Sequence, residues 1–284
     1  MTLIQYPVHL PTLRDDLLFG MAARSGASKY AENMQMRGPR FQFFPNGFTV
    51  CSSDGFRIHK VVVGSVSEDE APLATRTLQG SPWTMRESAE FPSETTRLLK
   101  YLKKIGNKSG DGVVVFDPHD EEVVFPTHAK GELTLRTSPC EHEVFPDAER
   151  VTPKNPAVLC QFGADTLLAV LVKLEPARGE KPSYKFEYGY ATWVRTRIIG
   201  INFDLHVGLV RDGEIEECES CPAQWRELGV ALELDLDFNG YYLADALKGM
   251  SGRVVEMLQT VGYPNTAVVL RTGNRTAVLN PFRR

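Results

Sequence analysis

The chain has 284 residues, of which 42% are hydrophobic and 24% are charged. This composition is typical of globular proteins and excludes fibrous and disordered classes, and the length suits two domains of roughly 140 residues each. The formal net charge of -4 argues against a protein that coats nucleic acid with its whole surface, but it leaves room for a local basic face.

No apolar run approaches the roughly 18 residues of a membrane span, and residues 1–7 have neither the basic nor the apolar region of a signal peptide. These features predict a cytoplasmic protein, either nucleoid-associated or, for a phage or plasmid protein, in the host cytoplasm. The cysteines are scattered and odd in number, which predicts reduced thiols: Cys51, Cys140, Cys160, Cys218 and Cys221.

In the first half, helical spacing of leucines predicts a helix over residues 12–23, with Thr12 as its N-cap. A hairpin over residues 40–51 follows, because Asn46-Gly47 readily supplies the positive φ of a tight turn. A second helix is predicted from the cap Ser93 to Gly106. Short β-branched runs between turn residues predict strands at 56–63, 112–116, 122–125 and 132–135.

The second half repeats this order of helix, strands, helix and strands. The predicted elements are a helix at 164–174, strands through 184–210, a strand at 231–238, a helix at 241–250 and closing strands from 254 to 280. Such an order predicts an α+β fold in which helices cover one face of each sheet.

The two halves also share a local pattern. A phenylalanine followed by a helix-start residue opens both the helix after Phe91 and the helix after Phe238, at an offset of 147 residues. A shift of about half the chain length predicts two copies of one domain.

The helix after Ser93 has two faces. Arg97, Lys100 and Lys104 share one face, while Leu98, Leu102 and Ile105 share another. This pattern allows the helix to pack on a sheet and present charge to phosphates, and it is equally typical of a solvated surface helix.

Four stretches resemble the DNA polymerase sliding clamps, specifically the bacterial beta clamp. Residues 50–58 are similar to a strand turn of that family, with Phe56 in place of histidine. Residues 145–153 resemble its interdomain connector, with Ala148 and Glu149 as departures. Residues 238–247 resemble its last helix, and residues 278–283 resemble its C-terminal strand.

The resemblance implies two tandem clamp-type domains, each with two helices packed on antiparallel sheets and assembling into a ring. Residues 1–144 would correspond to the middle domain of the beta clamp, and residues 145–284 to its C-terminal domain. Because the beta clamp has three domains and this chain has room for two, a six-domain ring would be a homotrimer. The implied function is that of a non-enzymatic processivity factor without cofactors. Its expected partners are double-stranded DNA and DNA polymerase, with a clamp-loader ATPase and repair enzymes as further candidates.

The resemblance also implies the functional residues. The DNA-facing set would be Arg97, Lys100, Lys104 and Lys248. An apolar pocket for a partner peptide would be lined by Ser53, Gly55, Phe56, Arg57, Ile58, Pro146, Arg150, Val151, Val278, Leu279, Asn280, Pro281, Phe282 and Arg283. Asn280 stands where the family has methionine, so peptide preference is expected to differ. Core packing is the alternative role for Ile58, Val151 and Val278.

Two other functions stay open at this point. One is a clamp-like adaptor that does not encircle DNA. The other is a redox enzyme that uses Cys218 and Cys221, although no second pair or nearby histidine completes a metal site. Subunit contacts in a ring would use strand edges, and the expected edges are residues 113–116 or 207–210.

Overall fold

The structure is a computed structural model. It describes residues 3–23, 39–67, 69–78, 94–105, 110–126, 131–140, 151–153, 156–174, 195–201, 204–211, 214–225, 235–260 and 266–281. The chain divides into two compact units, Met1–Ala148 and Glu149–Arg284. None of the described helices is long and apolar enough to cross a membrane.

Unit 1 contains two helices and eight strands among its described residues. The helices are α1 (Leu10–Gly20) and α2 (Glu94–Ile105). The strands are β1 (Ile4–His9), β2 (Arg40–Phe44), β3 (Gly47–Ser53), β4 (Arg57–Gly64), β5 (Ala74–Leu78), β6 (Asp111–Asp117), β7 (Glu122–Pro126) and β8 (Glu132–Pro139). They follow the order β1-β6-β7-β8-β5-β2-β3-β4, and the neighbouring strands pair antiparallel.

Unit 2 has the same content and one additional two-residue strand in its described part. Its helices are α3 (Ala164–Lys173) and α4 (Gly240–Lys248). Its strands are β9 (Ala157–Gly163), β10 (Arg195–Ile201), β11 (Asp204–Arg211), β12 (Glu214–Pro222), β13 (Gln224–Trp225), β14 (Asp235–Asn239), β15 (Val254–Gln259), β16 (Val268–Thr272) and β17 (Arg275–Leu279). They form the antiparallel orders β17-β16-β15-β9-β13 and β12-β11-β10-β14.

A strand, a helix and three strands form the repeating element of this architecture. Unit 1 runs β1-α1-β2-β3-β4 and then β5-α2-β6-β7-β8. The described elements of unit 2 repeat this order twice, with the short strand β13 between the two repeats. In each unit, the strand before a helix pairs with the strand that follows the other helix: β1 with β6, β5 with β2, β9 with β15, and β14 with β10. Each half of a unit therefore needs the other half to complete its sheets, and the predicted α+β class is confirmed.

The core of unit 1 is aromatic. The Phe43 and Phe116 rings stack with centroids 3.9 Å apart, and Phe41 and Phe48 lie within 6.5 Å of each other. The Tyr6 hydroxyl donates to the Phe44 carbonyl at 2.9 Å, so this buried phenol keeps a hydrogen-bond partner. These buried contacts join β1, β2, β3 and β6 and so hold the strands of unit 1 together.

Helix α1 lies very close to β3 and β4. A Cβ on Gly20 would be 2.8 Å from Cγ1 of Val61 and 3.1 Å from the Val50 carbonyl. Glycine at this position therefore permits the close approach of helix and sheet.

Several element boundaries differ from the sequence-based expectations. Helix α1 begins at Leu10 rather than at Thr12, and Pro11 lies in its first turn, where a missing N–H costs no helical hydrogen bond. The predicted turn at Asn46-Gly47 is shifted by one residue, because Phe44 pairs with Gly47 and leaves Pro45 and Asn46 as the turn.

The two stretches that were expected to form ring edges are not edge strands of their units, so this expectation was wrong. Residues 113–116 belong to β6, which pairs on both sides with β1 and β7. Residues 207–210 belong to β11, which pairs on both sides with β10 and β12.

Candidate functional site

Helix α2 presents a face of basic side chains in unit 1. Lys100 and Lys104, both predicted from the sequence, are exposed, and Lys103 is exposed beside them. Lys103 was missed, although its spacing of three residues from Lys100 places it on the same helix face. No carboxylate in the described part of the chain pairs with these three lysines.

The opposite face of α2 fixes the helix on the sheet. Leu98, Leu102 and Ile105 are fully buried, as their helical spacing predicted. The Tyr101 hydroxyl donates to the backbone carbonyl of Pro126 in β7, and burial raises the pKa of this tyrosine. Packing on this side fixes the helix on the sheet and so fixes the backbone positions of its exposed lysines.

Arg97 differs from the lysines because it already has an anionic partner. Its Nη1 donates to Oε1 and Oε2 of Glu94 at 2.8 and 2.7 Å. The Glu94 carboxylate also accepts the backbone N–H of Arg136, and burial raises the pKa of the Glu94 carboxyl. The predicted basic residue Arg97 is thus an ion-pair partner at the start of the helix.

The other helices carry fewer cations, and an acidic side chain lies near each of the cations that follow. Lys248, the fourth residue of the predicted DNA-facing set, lies 3.9 Å from Asp245. Lys173 in α3 lies 3.5 Å from Glu219, and Arg14 in α1 lies 3.0 Å from Asp15. Among the described helices, α2 therefore carries the strongest concentration of positive charge that carboxylates do not neutralise.

The turn between β3 and β4 is built around Asp54. Its Oδ1 accepts the backbone N–H groups of Phe56 and Arg57, both at 3.1 Å, which is an Asx-turn. Gly55 has a φ of 88°, a conformation that glycine adopts without strain. The Ser53 hydroxyl donates to the Arg57 carbonyl at 2.9 Å and accepts the Gly55 N–H at 3.1 Å. The turn thus holds Phe56 outward, with 56% of that residue exposed.

Arg57 has a buried guanidinium. Its side chain and that of Asp54 are each 2% exposed, and its Nε donates to Asp54 Oδ2 at 3.0 Å. Burial raises the pKa of the Asp54 carboxyl, even though the Arg57 cation and the two backbone N–H groups lower it. Asp54 was part of the sequence motif, but it was not predicted as a site residue. The Asx-turn spacing is the signal that could have identified it.

His59 lies in the core beneath this turn. Its Nδ1 donates to the Phe19 carbonyl at 3.3 Å, and its ring stacks on the Phe19 ring at 4.9 Å. Burial, followed by the nearby Arg57 cation, lowers the pKa of His59 to about 3. The neutral imidazole is therefore part of the packing that supports the β3–β4 hairpin.

The remaining predicted pocket residues have different environments. Ile58, Val278 and Leu279 are buried, and Val278 and Leu279 pair across strands with Val269 and Val268. Val151 and Asn280 are exposed, and Pro281 is half-buried. Pro146, Arg150, Phe282 and Arg283 lie outside the described residues. The grouping of these residues into one pocket stays a prediction.

The C-x-x-C sequence lies inside a strand. Cys218 and Cys221 belong to β12 and pair with Gly208 and Leu205 of β11, and Cys221 is fully buried. Activated C-x-x-C pairs commonly lie at helix starts, whereas this pair lies inside a strand. Among the residues that the structure describes, no group of three or more His, Cys, Asp and Glu could hold a metal ion.

Comparison with known proteins identifies the fold. No protein-family model matches the sequence, and no curated protein matches it. The sliding clamp of Pseudomonas aeruginosa is 15% identical over 99% of this chain and 67% of the clamp, with a TM-score of 0.69. The DNA polymerase III beta subunit of Thermotoga maritima is 16% identical over 99% of this chain and 66% of its own, with a TM-score of 0.68.

A putative beta subunit from Eubacterium rectale is 12% identical, with a TM-score of 0.71 over 99% of this chain and 66% of the other. The chain thus spans about two thirds of the length of these clamps, and at such identities the likeness establishes architecture. The described strands and helices therefore form the fold of the DNA polymerase sliding clamps.

Proposed function

We propose that this protein is a sliding clamp, a non-enzymatic processivity factor that encircles duplex DNA and holds a polymerase on it. The basic face of α2, defined as Lys100, Lys103 and Lys104, is the observation that carries this proposal. Three exposed lysines on one helix suit contacts with phosphates, and such contacts bind DNA without reading its sequence. The clamp fold of the chain gives this face a context in which DNA contact is expected.

The proposed assembly is a ring of three copies. Each copy would contribute two clamp-type domains, with the boundary near residue 144, and three copies would supply six domains. A closed ring needs only weak contacts with DNA, because the topological link and not the affinity keeps it bound. The acidic neighbours of Lys248, Lys173 and Arg14 are consistent with weak contacts.

The proposed partners are proteins that carry a short apolar peptide motif, chiefly a DNA polymerase, with a loader ATPase and repair enzymes as further candidates. Phe56 supports this part of the proposal, because an exposed aromatic side chain on a rigid turn is a typical peptide anchor. Asn280 and Pro281, at the end of β17, would be further contact residues.

Charge reversal of the α2 face tests the DNA contact. Replacing Lys100, Lys103 and Lys104 together with glutamate should remove measurable binding to short linear duplexes at low salt. The matched single variants are Lys103→Glu and Lys173→Glu, because Lys173 is a helix lysine in unit 2 that lies near Glu219. Lys103→Glu should weaken binding and Lys173→Glu should not. Unchanged duplex binding by the triple variant would contradict the proposal.

The second candidate function is a clamp-like adaptor that does not encircle DNA. It is favoured by the acidic side chains near the cations of α1, α3 and α4, which leave one helix to make most of the contact. An adaptor of this kind would bind linear and circular DNA equally, or neither.

A further inference from the structure

The four cations of α2 are not equivalent. Lys100, Lys103 and Lys104 have no carboxylate partner among the described residues, whereas Arg97 donates to both carboxylate oxygens of Glu94. Arg97 lies one helical turn before Lys100, so the basic face would extend to Arg97 if its guanidinium had no carboxylate partner. The ion pair therefore interrupts the basic face at its N-terminal end.

Glu94 is the fixed member of this pair. Its side chain is 14% exposed, against 39% for Arg97, and it accepts the backbone N–H of Arg136 in β8. It is also the first residue of α2, where the helix dipole favours a negative charge. Three contributions thus hold the carboxylate in place, and Arg97 is the member that is free to turn outward.

A carboxylate presents a guanidinium with the same kind of paired acceptor oxygens as a phosphate. Glu94 and a DNA phosphate therefore compete for the same donors on Arg97. In the free protein, the Glu94 carboxylate oxygens already lie 2.7 and 2.8 Å from Nη1 of Arg97. A phosphate would have to displace a carboxylate that other groups hold in position.

We propose that Glu94 withholds Arg97 from DNA and so limits the strength of the phosphate contact that α2 makes. The proposal rests on the proposed function, in which α2 faces duplex DNA. It assigns Glu94 a negative role: the carboxylate keeps the contact weak enough for the protein to move along the duplex. Arg97 then contributes little to resting affinity, although its type and position make it the best phosphate ligand of the four.

The test compares Glu94→Gln with Glu132→Gln, which removes the same charge from an exposed position in the same unit. Binding to a short linear duplex is measured at several salt concentrations. One added phosphate contact steepens the dependence of log affinity on log salt by about 0.9 per bound copy. Between about 50 and about 200 mM salt, Glu94→Gln should therefore lose roughly 3.5-fold more affinity than Glu132→Gln.

The double variant Glu94→Gln with Arg97→Gln has the net charge of the wild type. Its salt dependence should return to the wild-type value, because the steeper salt dependence of Glu94→Gln comes from a phosphate contact of Arg97. A steeper slope that persists in the double variant would overturn the proposal, as would a slope in Glu94→Gln equal to that of Glu132→Gln.

The unmodified protein provides a measurement that does not depend on the folding of a variant. When duplex is added, the nitrogen-edited NMR signals of the Arg97 guanidinium should stay in place while those of the Lys103 ammonium shift. Movement of the Arg97 signals would contradict the proposal. Failure of the proposed function is distinct: it is shown by unchanged duplex binding after reversal of Lys100, Lys103 and Lys104.

Discussion

Asp54 organises the β3–β4 turn with one side chain. It accepts two backbone N–H groups through Oδ1 and the Arg57 guanidinium through Oδ2, and the ion pair is almost fully buried. A buried pair contributes little net stability when both members are present, but removing one member leaves an uncompensated charge. The turn that exposes Phe56 therefore depends on both charges being present.

Asp54→Asn removes the negative charge alone, because asparagine keeps the oxygen that accepts the two backbone N–H groups. We expect the free energy of unfolding to fall by about 3–5 kcal/mol, measured by urea denaturation, since the variant loses the buried carboxylate that pairs with the Arg57 guanidinium. Asp120→Asn, on an exposed turn of the same unit, is the control. A loss below about 1 kcal/mol, typical of an exposed pair, would show that the Asp54 charge is not needed to stabilise Arg57.

His59 makes the stability of unit 1 depend on pH. Its pKa is lowered from 6.5 to about 3, so below pH 6.5 the unfolded chain binds a proton that the folded protein does not. Stability from this group is complete above pH 6.5 and is lost progressively as the pH falls toward about 3.

Urea unfolding at pH 7, 6 and 5 should show this loss, at up to about 1.4 kcal/mol per pH unit in the steep region. His59→Gln removes the titrating group and should flatten the profile. Parallel profiles for wild type and His59→Gln would mean that His59 binds its proton equally in both states.

Among the secondary-structure elements, the β3–β4 hairpin provides the clearest test of partner binding. Phe56→Ala should weaken the binding of a synthetic peptide with leucine and phenylalanine anchors at least tenfold by calorimetry, about 1.4 kcal/mol, since exposed aromatic anchors dominate such interfaces. Leu73→Ala is the matched control, because Leu73 is also an apolar residue of unit 1 with 56% exposure. Equal affinities for the two variants would argue against Phe56 as an anchor.

The elements also show what local sequence could predict. Helix α2 was expected at residues 93–106 and spans Glu94–Ile105. The agreement is close because the apolar periodicity of a strongly amphipathic segment begins and ends with the helix. Strand β1 was not predicted, and Pro7 lies inside it. This strand lies at the end of the unit 1 strand order, where a proline removes no hydrogen bond from the sheet. Edge position is a tertiary property, so sequence pattern alone did not indicate the strand.

Gly47 is another case in which tertiary structure decides. It was expected to supply a positive φ, but it belongs to β3, where a Cβ would lie 2.5 Å from the Val63 carbonyl. Glycine at this position is important, but for a different reason from the one expected. The close approach of two backbones, which requires it, is not visible in a local sequence pattern. The pairing of Glu94 with Arg97, at a spacing of three residues, was visible in principle.

In the whole molecule, the described elements show a finer repeat than the duplication that the 147-residue offset predicts. Among them, the order of one strand, one helix and three strands occurs four times, twice in each unit, with the two-residue strand β13 as an addition in unit 2. The sequence pattern indicates only the correspondence between α2 and α4, because packing preserves the apolar positions of a repeat and leaves the other residues free to vary. The same reasoning explains how 12% identity accompanies a TM-score of 0.71.

The proposed closure of copies of this chain around DNA can be tested by measuring the mass in solution together with retention on nicked circular and linearised DNA of the same sequence. We predict a mass of about 95 kDa, three copies of the 31.7 kDa chain, with retention on circles and loss from linear ends. A mass near that of one chain at micromolar concentration, with equal retention on both DNA forms, would contradict the account.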